Sequence, residues 1–217
     1  MLDLHTHSFF SDGALSPAEL VRRAESIGYT HLGISDHADS SNLDHIIPRL
    51  VKLIRETAPF VATKVLPGVE LTHVPPPLIG ILAQRARDLG AAYVVVHGET
   101  MVEPVPPGTN RAAILAGVDI LAHPGLITRE DAALAAERNV VLEITARKGH
   151  SLSNGHVAGT AKAVGASLVL NTDSHDPGDL ITRPFGLKVV LGAGLTERDF
   201  EEMQANSLAL FERATHN

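Results

Sequence analysis

Short apolar runs alternate with amphipathic helical segments along these 217 residues, which predicts an α/β fold on a parallel sheet. Ala92-Tyr93-Val94-Val95-Val96 supports it, being apolar throughout as a strand buried on both faces must be. A third observation is that one apolar run after another ends in a histidine or a carboxylate. Strand–helix alternation demands right-handed crossovers, leaving a closed barrel or a doubly wound open sheet.

Each element has a local reason. Leu2–Leu4 begins a strand. Ser16-Pro17-Ala18-Glu19 reads as an N-cap, a proline at the first helical position and an acid at the third. Leu20, Val21, Ala24 and Ile27 continue that helix at helical spacing until Gly28 stops it. His31–Ser35 is the next strand, and Leu43–Ala58 a helix in which Pro48 must lie near the start or cause a kink. Lys64–Glu70 reads as a strand, with Pro67 arguing mildly against a central position. Leu78–Leu89 is a helix ended by Gly90, and Ala92–Val96 the buried strand. A short helix at Arg111–Ala116 precedes a short strand at Asp119–Ala122. Helices at Thr128–Arg138, Ser153–Val164 and Thr196–Gln204 alternate with strands at Val140–Ile144 and Ser167–Asn171. Pro75-Pro76-Pro77 and Pro104–Gly108 are rigid loops, no linker or repeat interrupts the chain, and residues 1–217 are expected to form one domain.

Composition narrows the function. Apolar residues make up 44% and charged residues 20%, which is ordinary globular usage. The 18 basic and 25 acidic residues give a net charge of −7, and no Lys/Arg block offers an extended grip on nucleic acid. There is no cysteine, so any metal must be held by imidazole and carboxylate. No run approaches the ~18 apolar residues of a membrane span and the first residues lack a leader pattern, so a soluble cytoplasmic protein is expected. The 12 histidines are the unusual feature.

The first strand is followed by His5, His7 and Asp12, the second by Asp36-His37, and the third ends in Glu70. His97, His123 and the pair Asp173 and His175 follow later strands. In a parallel barrel all these strand ends lie on one face, the face that carries active sites. Nine nitrogen and oxygen donors gathered there would be costly without cations between them. His5 and His7 are two apart, so on extended backbone both imidazoles reach the same ion. Such ligands suit divalent zinc, manganese or iron.

These stretches resemble the PHP (polymerase and histidinol phosphatase) family. The resemblance rests on Asp3-Leu4-His5-Thr6-His7-Ser8 with Ser11-Asp12-Gly13, Ser35-Asp36-His37, Gly68-Val69-Glu70-Leu71-Thr72, Val96-His97, Leu121-Ala122-His123-Pro124 and Asn171-Thr172-Asp173-Ser174-His175. It implies a distorted (β/α)7 barrel, a TIM-like PHP fold, with two or three divalent ions. One ion would take His5, His7, Glu70 and Asp173, a second Asp12, His37 and His175, and a third His97, His123 and the bridging Glu70. Some relatives carry histidine where this chain has Asp12.

Three divalent ions against Asp12, Glu70 and Asp173 would leave a net positive pocket suited to a phosphate dianion, with a metal-bound hydroxide as the attacking group. Arg147 and Lys148, after Val140–Ile144, and Arg183, in the loop after His175, are candidate phosphate ligands. His73 and His150 are spare proton donors, more simply read as surface loop residues. Glu99 and Glu103 could meet a polar or cationic substrate group. The leading expectation is a phosphoric monoester hydrolase acting on a small phosphorylated substrate, similar to histidinol-phosphate phosphatases. The runner-up is a phosphodiesterase, exonuclease or nucleotidase, although only 32 residues lie between His37 and Glu70, where exonuclease-like members carry an insertion. A non-catalytic barrel would predict eroded ligands, and none is eroded.

Overall fold

The first helix begins as its residues require: Ser16 Oγ accepts the Glu19 N–H at 3.2 Å and Pro17 takes the first helical position. From there the computed structural model describes residues 1–215. Strands and helices alternate as β1 (Leu2–Asp3), α1 (Pro17–Ser26), β2 (His31–Ile34), β3 (His37–Ala38), α2 (Leu43–Thr57), β4 (Lys64–Leu71), α3 (Pro76–Asp88), β5 (Tyr93–His97) and α4 (Thr109–Ala116). They continue as β6 (Ile120–Ala122), α5 (Arg129–Arg138), β7 (Val141–Thr145), α6 (Asn154–Val164), β8 (Leu168–Asn171), α7 (Arg183–Gly192) and α8 (Glu197–Thr215).

All pairings are parallel, in the order β1-β2-β4-β5-β6-β7-β8. Strand β3 also pairs with β4, so β2 and β3 form one stave broken at Ser35-Asp36. That leaves seven staves, as the resemblance implied. The seam between β8 and β1 closes with less regularity than a ladder. The Leu4 N–H donates to Asn171 Oδ1 at 2.9 Å, Asp173 N–H to the His5 carbonyl at 2.9 Å, and His7 N–H to the Ser174 carbonyl at 2.9 Å. A side-chain amide standing in the ladder is the local form of the barrel's distortion.

Leu4, Tyr93, Val95, Ile120, Ala122 and Val169 pack together inside the barrel, with Leu210 and Phe211 of α8 in the same cluster. A larger apolar layer joins the outer sheet face to the surrounding helices. Tyr93 is fully buried, and two glycines make room for it. A Cβ on Gly33 would lie 2.1 Å from the Tyr93 hydroxyl oxygen, and one on Gly68 2.2 Å from its ring.

Several expectations are corrected. Strand β4 is central despite Pro67, because the β4–β5 ladder begins only at Gly68 and the missing N–H falls outside it. Helix α2 carries Pro48 at its sixth residue and continues, its apolar face anchored by buried Ile46, Ile47 and Leu50. Helix α7 was not foreseen, since Pro184 and two glycines mask its pattern, and α8 runs well past Gln204 to Thr215. No helix among the described residues is long and apolar enough to cross a membrane.

Gly68→Ala is therefore expected to destabilise the protein by about 1–3 kcal/mol through overpacking against Tyr93. Gly159→Ala, on exposed α6 with open space around it, should be neutral or stabilising by up to about 1 kcal/mol. Urea melts of both variants beside the parent check the contrast.

Candidate metal centre

The loops leaving the C-terminal strand ends are pinned by buried carboxylates. Asp36 accepts the Ser8 N–H and Oγ–H, each at 2.7 Å, and the Ser11 hydroxyl at 2.8 Å, fixing the loop that carries Asp12. Asp3 accepts the His5 N–H at 3.1 Å and the Thr172 hydroxyl, tying the His5 segment to the Asp173 segment. Burial pushes the Asp3 carboxyl up to about 6, against the pull of those hydrogen bonds.

Glu143, in β7, orients the first histidine. Its Oε2 lies 2.8 Å from His5 Nδ1 and accepts from Asn171 Nδ2 at 2.8 Å. A proton on Nδ1 leaves the His5 Nε2 lone pair facing Glu70 Oε1 at 3.3 Å and Asp173 Oδ1 at 3.7 Å. His7 Nε2 lies 3.1 Å from Asp173 Oδ1. Across the mouth, His37 Nε2 and His175 Nε2 are 3.3 Å apart, with Asp12 Oδ1 3.5 and 3.2 Å away. The Thr72 hydroxyl bonds both His37 Nδ1, at 2.7 Å, and Glu70 Oε2, at 3.1 Å. On the third side, His123 Nε2 is 3.7 Å from Glu70 Oε1, and His97 stands against His123 with ring centroids 4.5 Å apart.

All nine residues proposed as ligands thus come to one mouth, in overlapping groups: His5, His7 and Glu70; His5, His123 and Asp173; His7, Asp12, His37 and His175. His97 joins His123 and a residue not expected there, His150.

The chemistry of this set fits divalent cations. Seven buried polar atoms here lack any hydrogen-bond partner: His5 Nε2, both ring nitrogens of His7 and of His123, Glu70 Oε1 and Asp173 Oδ1. A buried polar atom left unmatched costs about 1–3 kcal/mol, a cost that a shared cation would relieve. Burial pulls His7 and His123 well below the usual imidazole range, which leaves neutral lone pairs. Burial also works against Glu70, but the facing His5 and His37 outweigh it and hold that carboxyl well below the usual range. Asp173 is pushed by burial up to about 7, with His5 opposing. Backbone strain concentrates here too. Of the four non-glycine residues with positive φ among the described residues, His73 (53°), His123 (28°) and Asp173 (51°) belong to this site.

The mouth opens into a cleft of about 230 Å³ lined by Asp12, His37, His97, Arg147, Asp173 and His175 among others. Arg147 reaches it, held by Asp179, whose Oδ2 also accepts the His175 N–H at 3.0 Å. Lys148 is exposed and outside the cleft lining. Arg183 does not come to the cleft: the chain after His175 enters α7 rather than looping over the mouth. It pairs with Glu201 over the Phe200 ring, and its charge adds to the burial that lowers the basicity of the Met1 amine. His73 is half-exposed, as a surface loop residue should be, yet its Nε2 is 3.2 Å from Glu103. His150 is buried, because the 3-10 turn His150–Ser153 folds inward and Thr100 Oγ meets its Nδ1 at 2.7 Å. Glu99 caps the start of α4 by accepting the Gly108 and Asn110 N–H groups.

Sequence reading missed Glu143, Asp3, Thr72 and Asp179. Glu143 had a signal, a lone charge between Leu142 and Ile144 in the strand Val141–Thr145. Asp179 had none, since its partners are set by the fold of the 3-10 turn Pro177–Asp179.

Residues 3–97 match the PHP domain. A protein of Methanocaldococcus jannaschii, itself of uncharacterized function, is 49% identical over 201 residues, which cover 92% of each chain. The chain belongs to the PHP domain family. A probable phosphatase of Shewanella frigidimarina is 29% identical over 209 residues, 81% of this chain and 77% of that protein. The DNA polymerase/3'-5' exonuclease PolX of Bacillus subtilis is 27% identical over 195 residues, 80% of this PHP chain but 34% of PolX. Among solved structures, a chain from an archaeal ribonuclease P with mature tRNA superposes with a TM-score of 0.74 at 16% identity, over 100% of this chain and 92% of that one. The histidinol phosphate phosphatase of Lactococcus lactis, complexed with zinc, L-histidinol and phosphate, gives 0.62 at 18% identity, over 89% and 94%. At such identities the likeness is one of fold. Family and relatives together place this PHP chain among phosphatase-like hydrolases.

Glu143→Gln, which keeps the shape but removes the charge facing His5, is expected to weaken zinc binding by about 10–100-fold. Isothermal titration checks it, and unchanged affinity would mean that the Glu143 charge does not tune His5 as a metal ligand.

Proposed function

We propose that this PHP protein is a metal-dependent phosphoesterase that hydrolyses a small phosphomonoester, with residues 1–217 acting as one domain. The observation that carries the reading is the convergence of seven orphaned buried donor atoms beneath a cleft of about 230 Å³ that also receives Arg147. His5, His7, Glu70 and Asp173 would hold one ion, Asp12, His37 and His175 a second, and Glu70, His97 and His123 a third. When bound, such ions neutralise phosphoryl oxygens and lower the pKa of water, which is the chemistry a phosphoester needs. The ligand set suits zinc, manganese or iron alike, and the presence of zinc in the histidinol phosphate phosphatase of like fold makes zinc the first ion to test.

The chain's own residues supply orientation. Arg147 spends one Nη1 donor on Asp179 at 2.8 Å, which anchors the guanidinium and leaves its other donors for phosphate. Because Asp179 also holds the His175 backbone, the phosphate arm and one metal position share an anchor. Glu143 fixes the His5 tautomer and Thr72 sets the His37 ring against Glu70. A mouth of about 230 Å³ suits a small substrate, and the net charge of −7 offers no extended electrostatic grip on a polynucleotide strand. Similarity to PolX supports a second reading, hydrolysis of nucleotide or oligonucleotide ends, at the same site.

A panel of aryl and alkyl phosphomonoesters, dinucleotides and short oligonucleotides, assayed with Zn²⁺ or Mn²⁺, separates the two. Monoesters are expected to turn over fastest, and preference for diesters would overturn this ranking. His123→Ala is expected to reduce kcat/KM by about 100-fold or more, a loss of ~2.7 kcal/mol of transition-state stabilisation.

A further inference from the structure

The third metal position has more donors around it than Glu70, His97 and His123. His150 is 7% exposed, and its ring stacks on His123 with centroids 4.2 Å apart and planes 17° from parallel. Its Nδ1 lies 2.7 Å from the Thr100 hydroxyl. With the proton there, Nε2 carries a lone pair, and one ring nitrogen each of His150, His97 and His123 lie within 4.8 Å of one another. A ring anchored through one nitrogen with the other aimed into a cluster of imidazoles is the arrangement of a ligating histidine. Glu103 closes the group from the mouth: its Oε2 is 3.2 Å from His97 Nε2 and its Oε1 is 3.4 Å from His150 Nε2.

We propose that His150 and Glu103 are additional ligands of the third metal position, so that this ion is held by His97, His123, His150, Glu70 and Glu103. The inference rests on the metal-dependent reading above and deepens it. Sites whose coordination is filled by protein hold their ion without an open position for substrate, whereas catalytic sites keep one. The third ion is then the most tightly retained of the three. Neither residue was expected to bind metal from the sequence, because His150 follows its strand by five residues and Glu103 lies in a proline-flanked loop.

The test is a metal count by elemental analysis on zinc-loaded protein after dialysis against a weak chelator, with the absorption spectrum of the Co²⁺-substituted protein as a second readout. The parent is expected to retain about one more Zn²⁺ per chain than His150→Gln and Glu103→Gln, and both variants should shift the Co²⁺ bands. His45→Ala, an exposed histidine on α2 outside the clusters, should match the parent. Parent-like retention and spectra in both glutamine variants would overturn this inference alone. A parent that binds no ion would overturn the metal reading and this inference with it. Should His150→Gln fail to fold by circular dichroism, Glu103→Gln at the partly exposed mouth decides: loss of the ion supports the assignment, and retention overturns it.

Discussion

Glu70 has no exposed surface and sits near the end of the central strand β4, with His5, His37 and His123 all within reach of its carboxylate. An ionised carboxylate in that position loses its hydration and must be repaid by positive charge held in fixed geometry. Two facing imidazoles supply part of that in the protein alone, and a cation would supply the rest. Asp173 lies on the same nitrogens and cannot share them fully, so burial raises its carboxyl to about 7 while His5 and His37 hold that of Glu70 below the usual range. The remainder of the upper barrel follows from this requirement. Every loop that reaches the mouth brings either a donor for the cluster or a group that aims one.

That requirement also explains where the barrel departs from regularity. The β8–β1 seam gives up ladder hydrogen bonds so that Asp3, Asn171 and Thr172 can fasten the His5 and Asp173 segments to each other. Asn171 serves twice, accepting the Leu4 N–H and donating to the Glu143 carboxylate that orients His5. The positive φ values at His123 and Asp173 turn those chains sharply inward just past their strands. Beneath the cluster the barrel is apolar, with Tyr93 filling the space left by Gly33 and Gly68. An apolar floor keeps the local dielectric low and strengthens each charge interaction above it.

Much of this was legible in the chain because it is local. The strand ends were readable from apolar runs, and each carries its ligand within a few residues, so His5, His7, Glu70, His97 and His123 could be placed by counting. The helix starts at Ser16 and Thr128 were readable because capping is a short-range hydrogen bond, and both side chains do cap. Partners across the fold were not legible. Glu143 finds His5 over 138 residues of sequence, and Asp179 gathers Arg147 from another strand's loop. His150 read as a surface residue because nothing near it in sequence announces that its turn folds inward onto Thr100. Arg183 failed for the opposite reason: proximity to His175 in sequence suggested the mouth, while an unforeseen helix turns it toward Glu201.

The barrel's distorted closure, its strained turns and its buried carboxylates are all consistent with the proposed metal centre around Glu70. A crystal structure of the zinc-loaded protein, with anomalous data collected at the zinc edge, tests that directly. The account predicts two or three zinc peaks in the mouth, at least one of them about 2.0–2.2 Å from a Glu70 carboxylate oxygen. Peaks absent from the mouth, or none in contact with Glu70, would contradict it.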